Sequence, residues 1–153
     1  MLRYTILGTK VMFAPSKILV RTLFESPILR NNSCKTYTFN DIKHLIENPL
    51  SDKILVDVRE PEEHLEYAIP TSVNIPVNTA PGALGLLAEE FQKMFNFGKP
   101  ETSKELVFYC KSGTRAKAAE ELARSYGYQN TGIYQGSVTD WLKKQSHKLS
   151  SKN

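Results

Sequence analysis

The 153-residue chain is 41% hydrophobic, 24% charged and 10% aromatic, a composition that fits one ordinary folded domain and excludes a collagen-like, low-complexity or wholly disordered chain. Two cysteines are too few for a disulfide scaffold, and no run of about 18 apolar residues exists to cross a bilayer as a helix. The formal net charge of +4 sits entirely in the first 30 residues; the remainder is neutral, which removes the argument for a nucleic-acid surface on the body.

In those first 30 residues Arg3, Lys10, Lys17, Arg21 and Arg30 face only Glu25. Lys10 and Lys17 interrupt the apolar stretches before either forms the core of a secretory signal. At helical spacing Arg3, Lys10, Lys17 and Arg21 fall on one narrow arc, with Met12, Leu19 and Leu23 near the opposite side. A basic, acid-poor amphipathic segment of this kind resembles a mitochondrial presequence, with Pro15 as a mild objection. The stretch Arg21-Thr-Leu-Phe-Glu-Ser26 is similar to a two-step matrix-processing pattern ending at Arg30. The expected division is therefore a targeting presequence over 1–30 and one folded domain over 31–153, in the mitochondrial matrix.

Along the body, Thr38 and Asp41 form a capping box before Ile42, Leu45 and Ile46, and the helix runs until Pro49. Lys53–Asp57 is an apolar run of strand length, and Pro61 opens a short helical turn through Leu65. Ser72–Pro76 suits a brief strand. Leu87, Phe91, Met94 and Phe95 keep helical spacing up to a stop at Gly98 and Pro100, with the Phe91, Met94 and Phe95 stripe expected in the core. Glu105–Tyr109 reads as a second buried strand. A helix follows with Ala119, Leu122, Ala123 and Tyr126 on one face and Gly127 as its stop. Gly132–Tyr134 is a last strand, and Ser137 with Asp140 is expected to cap the helix carrying the core residue Trp141. Strands alternating with helices predict an α/β domain with a mainly parallel sheet and helices on both faces. In such sheets chemistry sits beyond the carboxyl ends of the strands.

The loop after Tyr109 occupies such a place. Cys110-Lys111-Ser112-Gly113-Thr114-Arg115 sets a cysteine at a strand end and an arginine at a helix start. A tight loop there turns several amides inward, and the helix dipole reinforces the resulting anion cradle. Gly113 supplies the positive φ of such a turn, and Lys111 and Arg115 add positive charge. Every one of these effects favours thiolate over thiol, so Cys110 is expected to have a lowered pKa and to act as a nucleophile. The bland reading, an inert buried cysteine, does not call for this surrounding loop.

On these residues the chain resembles the rhodanese family, specifically the small single-domain eukaryotic thiosulfate sulfurtransferases, over about residues 36–144. The resemblance rests on Asp57-Val-Arg59-Glu60 with Glu63, Ile69-Pro70, Asn74-Ile-Pro76, the loop Cys110 to Arg115, Gly127-Tyr, and Tyr134-Gln-Gly136 with Trp141. It departs from the family at Tyr67-Ala68, Thr71-Ser72 and Gly136-Ser137, where glycine-containing pairs are usual; none of these is expected to touch the cysteine loop. The resemblance implies a five-stranded sheet, no metal or organic cofactor, and a ping-pong transfer of sulfane sulfur. Thiosulfate loads Cys110 as a persulfide, and cyanide, a thiol such as glutathione, or a thiol protein removes the sulfur. Cys110 is then the catalytic residue. Lys111, Ser112, Gly113, Thr114 and Arg115 bind substrate, with Lys111 and Arg115 on the sulfonate and Arg115 also bracing the loop. A rival of another class is a rhodanese-like module that carries persulfide or docks on a protein partner without thiosulfate turnover. Cysteine phosphatases and arsenate reductases use a similar loop with five residues between Cys and Arg; here there are four, a ring suited to sulfur rather than phosphoryl.

Other candidates carry bland readings beside functional ones. Arg59 either lines the mouth of the site or joins Asp57 and Glu63 in an ion-pair or capping network. His44, His64 and His147 lack metal spacing and read as surface or packing residues. Cys34 reads as an exposed terminal thiol, with a resolving role toward Cys110 as the alternative.

Overall fold

The computed structural model describes residues 34–150, with side chains described through 147. The presequence expectation for 1–30 lies outside the described residues. Five strands and five α-helices follow in chain order: β1 (Lys35–Tyr37), α1 (Phe39–Glu47), β2 (Lys53–Asp57), α2 (Pro61–Glu66), β3 (Val73–Asn74), α3 (Ala88–Phe95), β4 (Glu105–Tyr109), α4 (Thr114–Ser125), β5 (Thr131–Tyr134) and α5 (Ser137–Ser150), with a 3-10 turn at Ala83–Gly85. The sheet has the order β1-β5-β4-β2-β3, and all four pairings are parallel.

β4 lies at the centre, and each of its five residues is buried. Its alternation feeds two cores. Leu106 and Phe108 join Val56, Phe91, Ala119 and Ala123 under α3 and α4. Val107 and Tyr109 join Leu55, Ile42, Val138 and Trp141 under α1 and α5. Burial on both faces is why these strands read as continuous apolar runs rather than alternating ones. Tyr109 sits in the interior because its hydroxyl is satisfied, accepting from the Ile69 amide at 3.1 Å and pairing with the Ser72 hydroxyl at 2.8 Å.

Helix α1 begins as the sequence predicts, with the Thr38–Asp41 capping box closed in both directions. Three local expectations change. Helix α3 ends at Asn96, left-handed at φ 60°, rather than at Gly98. Phe97 then folds back edge-on against Phe91 at 5.2 Å. With Phe91 and Phe95 already filling the core side, Met94 is left 59% exposed, and Leu87, which precedes the helix, is 72% exposed. The apolar stripe is thus core at Phe91 but solvent-facing at Met94. Lastly, Ser137 does not cap α5: it lies at φ 52° with its side chain turned into the protein, and the Asp140 amide bonds to the Gly136 carbonyl. An N-cap needs an extended backbone, which this left-handed residue lacks.

Candidate active site

The central strand delivers Cys110 directly into the turn between β4 and α4. Gly113 holds that turn at φ 106°, and a Cβ there would lie 2.6 Å from the Gln135 carbonyl oxygen, so only glycine fits. Four amides converge on the buried sulfur. The Gly113 N–H donates to Cys110 Sγ at 3.0 Å, and the amides of Ser112, Arg115 and Ala116 also bond to it. Burial alone pushes the thiol pKa up; the amides of Ala116, Gly113, Ser112 and Arg115 outweigh it and hold Cys110 below its ordinary value. This is the depressed thiol that the loop pattern predicts, with its cause in backbone donors and the start of α4.

The two loop cations have different surroundings. Arg115 is gripped by Glu63 of α2 in a bidentate pair, Nη1–Oε2 at 2.5 Å and Nη2–Oε1 at 2.9 Å. The Arg115 guanidinium draws the Glu63 carboxyl down to about 2. Lys111 is exposed, and its ammonium has no partner among the described residues. Ser112 and Thr114 sit exposed on the rim.

Two features escape sequence reasoning. Glu63 caps α2 as the sequence suggests, accepting from the Glu60 amide at 3.2 Å, but its grip on Arg115, which fastens α2 to the cysteine loop, is not read from the sequence. Ser137 reads as remote from the loop, and the structure corrects this. Its Oγ accepts the Cys110 amide at 3.1 Å, donates to the Tyr134 carbonyl at 2.9 Å and lies 4.0 Å from Sγ. Beside it, the Val138 and Thr139 amides donate to the Cys110 and Lys111 carbonyls at 3.1 Å each, and the Thr139 hydroxyl donates to the Lys111 carbonyl at 2.8 Å. The only available signal was a serine standing where the family pattern has the second glycine of a pair.

Arg59 resolves to the structural reading. It is buried and binds Asp57 through Nε at 3.0 Å and Nη2 at 2.6 Å, with Nη2 also donating to the Tyr67 carbonyl. His64 Nδ1 completes the network at 2.9 Å from Asp57 Oδ2. Burial works to raise the Asp57 pKa, but the hydrogen bonds from Arg59 and His64 prevail and lower it. Cys34 is half-buried rather than freely exposed; burial first and the Glu120 carboxylate second push its thiol up to about 11. It is therefore a protonated, weak nucleophile at neutral pH, which counts against a resolving role. Among the described residues, no group of three or more His, Cys, Asp and Glu side chains is placed to hold a metal ion. No helix of the described residues is long and apolar enough to cross a membrane.

The rhodanese-like domain family matches residues 38–144, from the α1 cap through the cysteine loop to the first turns of α5. The chain belongs to the rhodanese family. It is 62% identical over 110 residues to a mitochondrial thiosulfate sulfurtransferase of Saccharomyces cerevisiae, spanning 72% of this chain and 74% of that one. A thiosulfate:glutathione sulfurtransferase of the same yeast is 40% identical over 125 residues, spanning 82% and 90%. The crystal structure of a single-domain sulfurtransferase from S. cerevisiae superimposes with a TM-score of 0.72 at 59% identity, covering 75% of this chain and 94% of that one. This rhodanese thus has the expected fold, with a wholly parallel five-stranded sheet.

Proposed function

We propose that this rhodanese is a thiosulfate sulfurtransferase working through a Cys110 persulfide. The observation that carries the reading is the ring of four amides on the sulfur, which favours the thiolate. In the first half-reaction the Cys110 thiolate attacks the outer sulfur of thiosulfate. The sulfur–sulfur bond breaks, its electron pair leaves with sulfite, and the enzyme holds an anionic persulfide. The amide ring stabilises this charge with donors fixed before the reaction begins. In the second half-reaction a thiolate or cyanide attacks the outer sulfur, and the electron pair of the breaking bond returns to Cys110 Sγ. No electron or proton is left over, and no oxidant is needed.

Lys111 is the cation that meets the donor's sulfonate. Arg115, already committed to Glu63, braces the loop, and Gly113 sets its turn. Ser112 contributes its amide to the ring, and Ser112 and Thr114 place hydroxyls on the rim. The first 30 residues direct the chain to the mitochondrial matrix, a reading supported by their basic pattern and by a yeast relative named mitochondrial. Finding an intact Met1 on the protein from its native cells would overturn import.

The test of the catalytic reading is mass spectrometry of the intact protein after thiosulfate treatment, together with steady-state thiocyanate formation. The parent should gain one sulfur at Cys110, and Cys110→Ser should lose both adduct and turnover. Thiocyanate formation that survives the substitution refutes the assignment. A persulfide that forms from thiosulfate but turns over negligibly with every small acceptor would favour the carrier module instead.

A further inference from the structure

Beside the cysteine loop, sharing Ser112, Gly113 and Thr114 with it, lies a groove of about 480 Å³. Its wall is one face of α4 together with the edge of the sheet at β1 and β5, and its upper end is the loop rim itself. The lining includes Ser112 and Thr114 from the rim, Lys117 from α4, Thr36 from β1 and Gln135 beyond β5. None of these five side chains has a hydrogen-bond or ion-pair partner among the described residues. Polar groups left unpaired around a concavity of this size are what a polar ligand needs, since ligand clefts span about 300–1,000 Å³.

The charge of the groove narrows the ligand's class. Thr114 and Lys117 are three residues apart on α4 and therefore on one face, which places the Lys117 ammonium one turn below the rim. The acidic lining residue, Glu120, is consumed by Arg124 and by the Thr131 hydroxyl. Cys34, at the far end, stays protonated and does not compete for sulfur. The groove therefore offers one uncommitted cation, two hydroxyls on the rim, and a further hydroxyl and amide from Thr36 and Gln135; Ser112 and Gly113, which line it, also donate their amides to the reacting sulfur.

We infer that this groove is the acceptor subsite, and that it takes a small peptide-like thiol bearing a carboxylate, with Lys117 pairing to the carboxylate and the thiol sulfur presented over Ser112 and Thr114. This inference rests on the persulfide reading of Cys110. The acceptor thiol gives its proton to solvent, its thiolate attacks the outer persulfide sulfur, and the product leaves as a hydropersulfide anion. Cyanide has neither carboxylate nor peptide groups and draws nothing from the groove. Acceptor preference is thus written outside the cysteine loop, on α4 and β1.

The experiment compares acceptors on protein loaded with thiosulfate. For Lys117→Glu, the ratio of kcat/KM with glutathione to kcat/KM with cyanide should fall about tenfold, since the attraction of an exposed pair is lost and charge reversal adds repulsion. The loss should appear in KM for glutathione rather than in kcat. Cysteamine, a thiol with an ammonium and no carboxylate, should gain on glutathione in the same variant. A second variant, Thr36→Glu, changes the groove away from the loop and should lower the same ratio. An unchanged ratio in both variants overturns the acceptor subsite while leaving Cys110 catalysis standing. Equal losses with glutathione and cyanide also overturn it, because they place Lys117 in the service of the loop. Failure of the persulfide reading itself is distinguished by the absence of a sulfur adduct on the parent protein.

Discussion

Removing the Ser137 hydroxyl tests how the nucleophile is held. Ser137 is fully buried, and its Oγ is the acceptor for the Cys110 amide as well as a donor to the Tyr134 carbonyl. Substitution by alanine strands a buried N–H and loosens a carbonyl, at a cost of about 2 kcal/mol within the usual 1–3 range. Serine at φ 52° also carries left-handed strain of about 1 kcal/mol, which glycine relieves and alanine keeps. Ser137→Ala should therefore lose about 2 kcal/mol, and Ser137→Gly about 1 kcal/mol. At about 4 °C per kcal/mol for a domain of this size, the melting temperatures should fall by about 8 °C and 4 °C. In both variants Cys110 loses its anchor, its sulfur sits less squarely among the four amides, and its pKa should climb back toward that of a free thiol. The pH dependence of iodoacetamide alkylation reads this directly and needs no substrate. The sign is fixed by linkage: a depressed thiol pKa favours the folded state above the folded value, and that advantage fades as pH falls through it. Both variants should shift the alkylation midpoint upward, leaving less thiolate on the acid limb than in the parent. A glycine variant more stable than the parent, with the parent's midpoint, would refute the reasoning and reduce Ser137 to a backbone turn.

Two further substitutions separate binding from architecture. Lys111→Ala removes the unpaired loop cation, and KM for thiosulfate should rise about tenfold while kcat changes less than threefold, as measured by thiocyanate release. Arg59→Ala leaves the Asp57 carboxylate buried without its guanidinium, with His64 and the residue-59 amide as its remaining partners; breaking such a pair costs about 3–5 kcal/mol, so the melting temperature should fall by more than 10 °C with no selective effect on donor KM.

What was legible in the sequence follows from where the physics is local. The Thr38–Asp41 box involves neighbours three apart, and the runs Lys53–Asp57 and Glu105–Tyr109 are buried on both faces, so their pattern needs no partner to be read. The cysteine loop is also local: six consecutive residues contain the nucleophile, the glycine that turns and three of the four amides that bond to the sulfur, the fourth coming from Ala116 at the next position. The strand β1 was harder, because three residues with exposed or half-buried side chains carry no alternation long enough to register. Met94 was misplaced because its exposure depends on Phe97 arriving after the left-handed turn at Asn96. Glu63 and Ser137 were missed as site residues for a related reason. Their partners, Arg115 and Cys110, are 52 and 27 positions away, and only the order of strands in the sheet brings them together.

That sheet order gives the site a second support that the loop sequence alone does not contain. In a trans peptide the carbonyl and the next residue's amide point in opposite directions. The Lys111 carbonyl is held from the α5 side by the Thr139 amide and hydroxyl, so the Ser112 amide in the same peptide unit is turned the other way, toward Cys110 Sγ. The Cys110 carbonyl is fixed likewise by Val138, and its amide by Ser137. The start of α4 thus supplies donors to the sulfur, while the start of α5 spends its otherwise unpaired amides on orienting the peptides that precede it. A loop held this way has few alternative conformations to fall into when the sulfur gains or loses a second atom. The donors need not reorganise between thiolate and persulfide, and that constancy is what a two-step transfer through one sulfur requires.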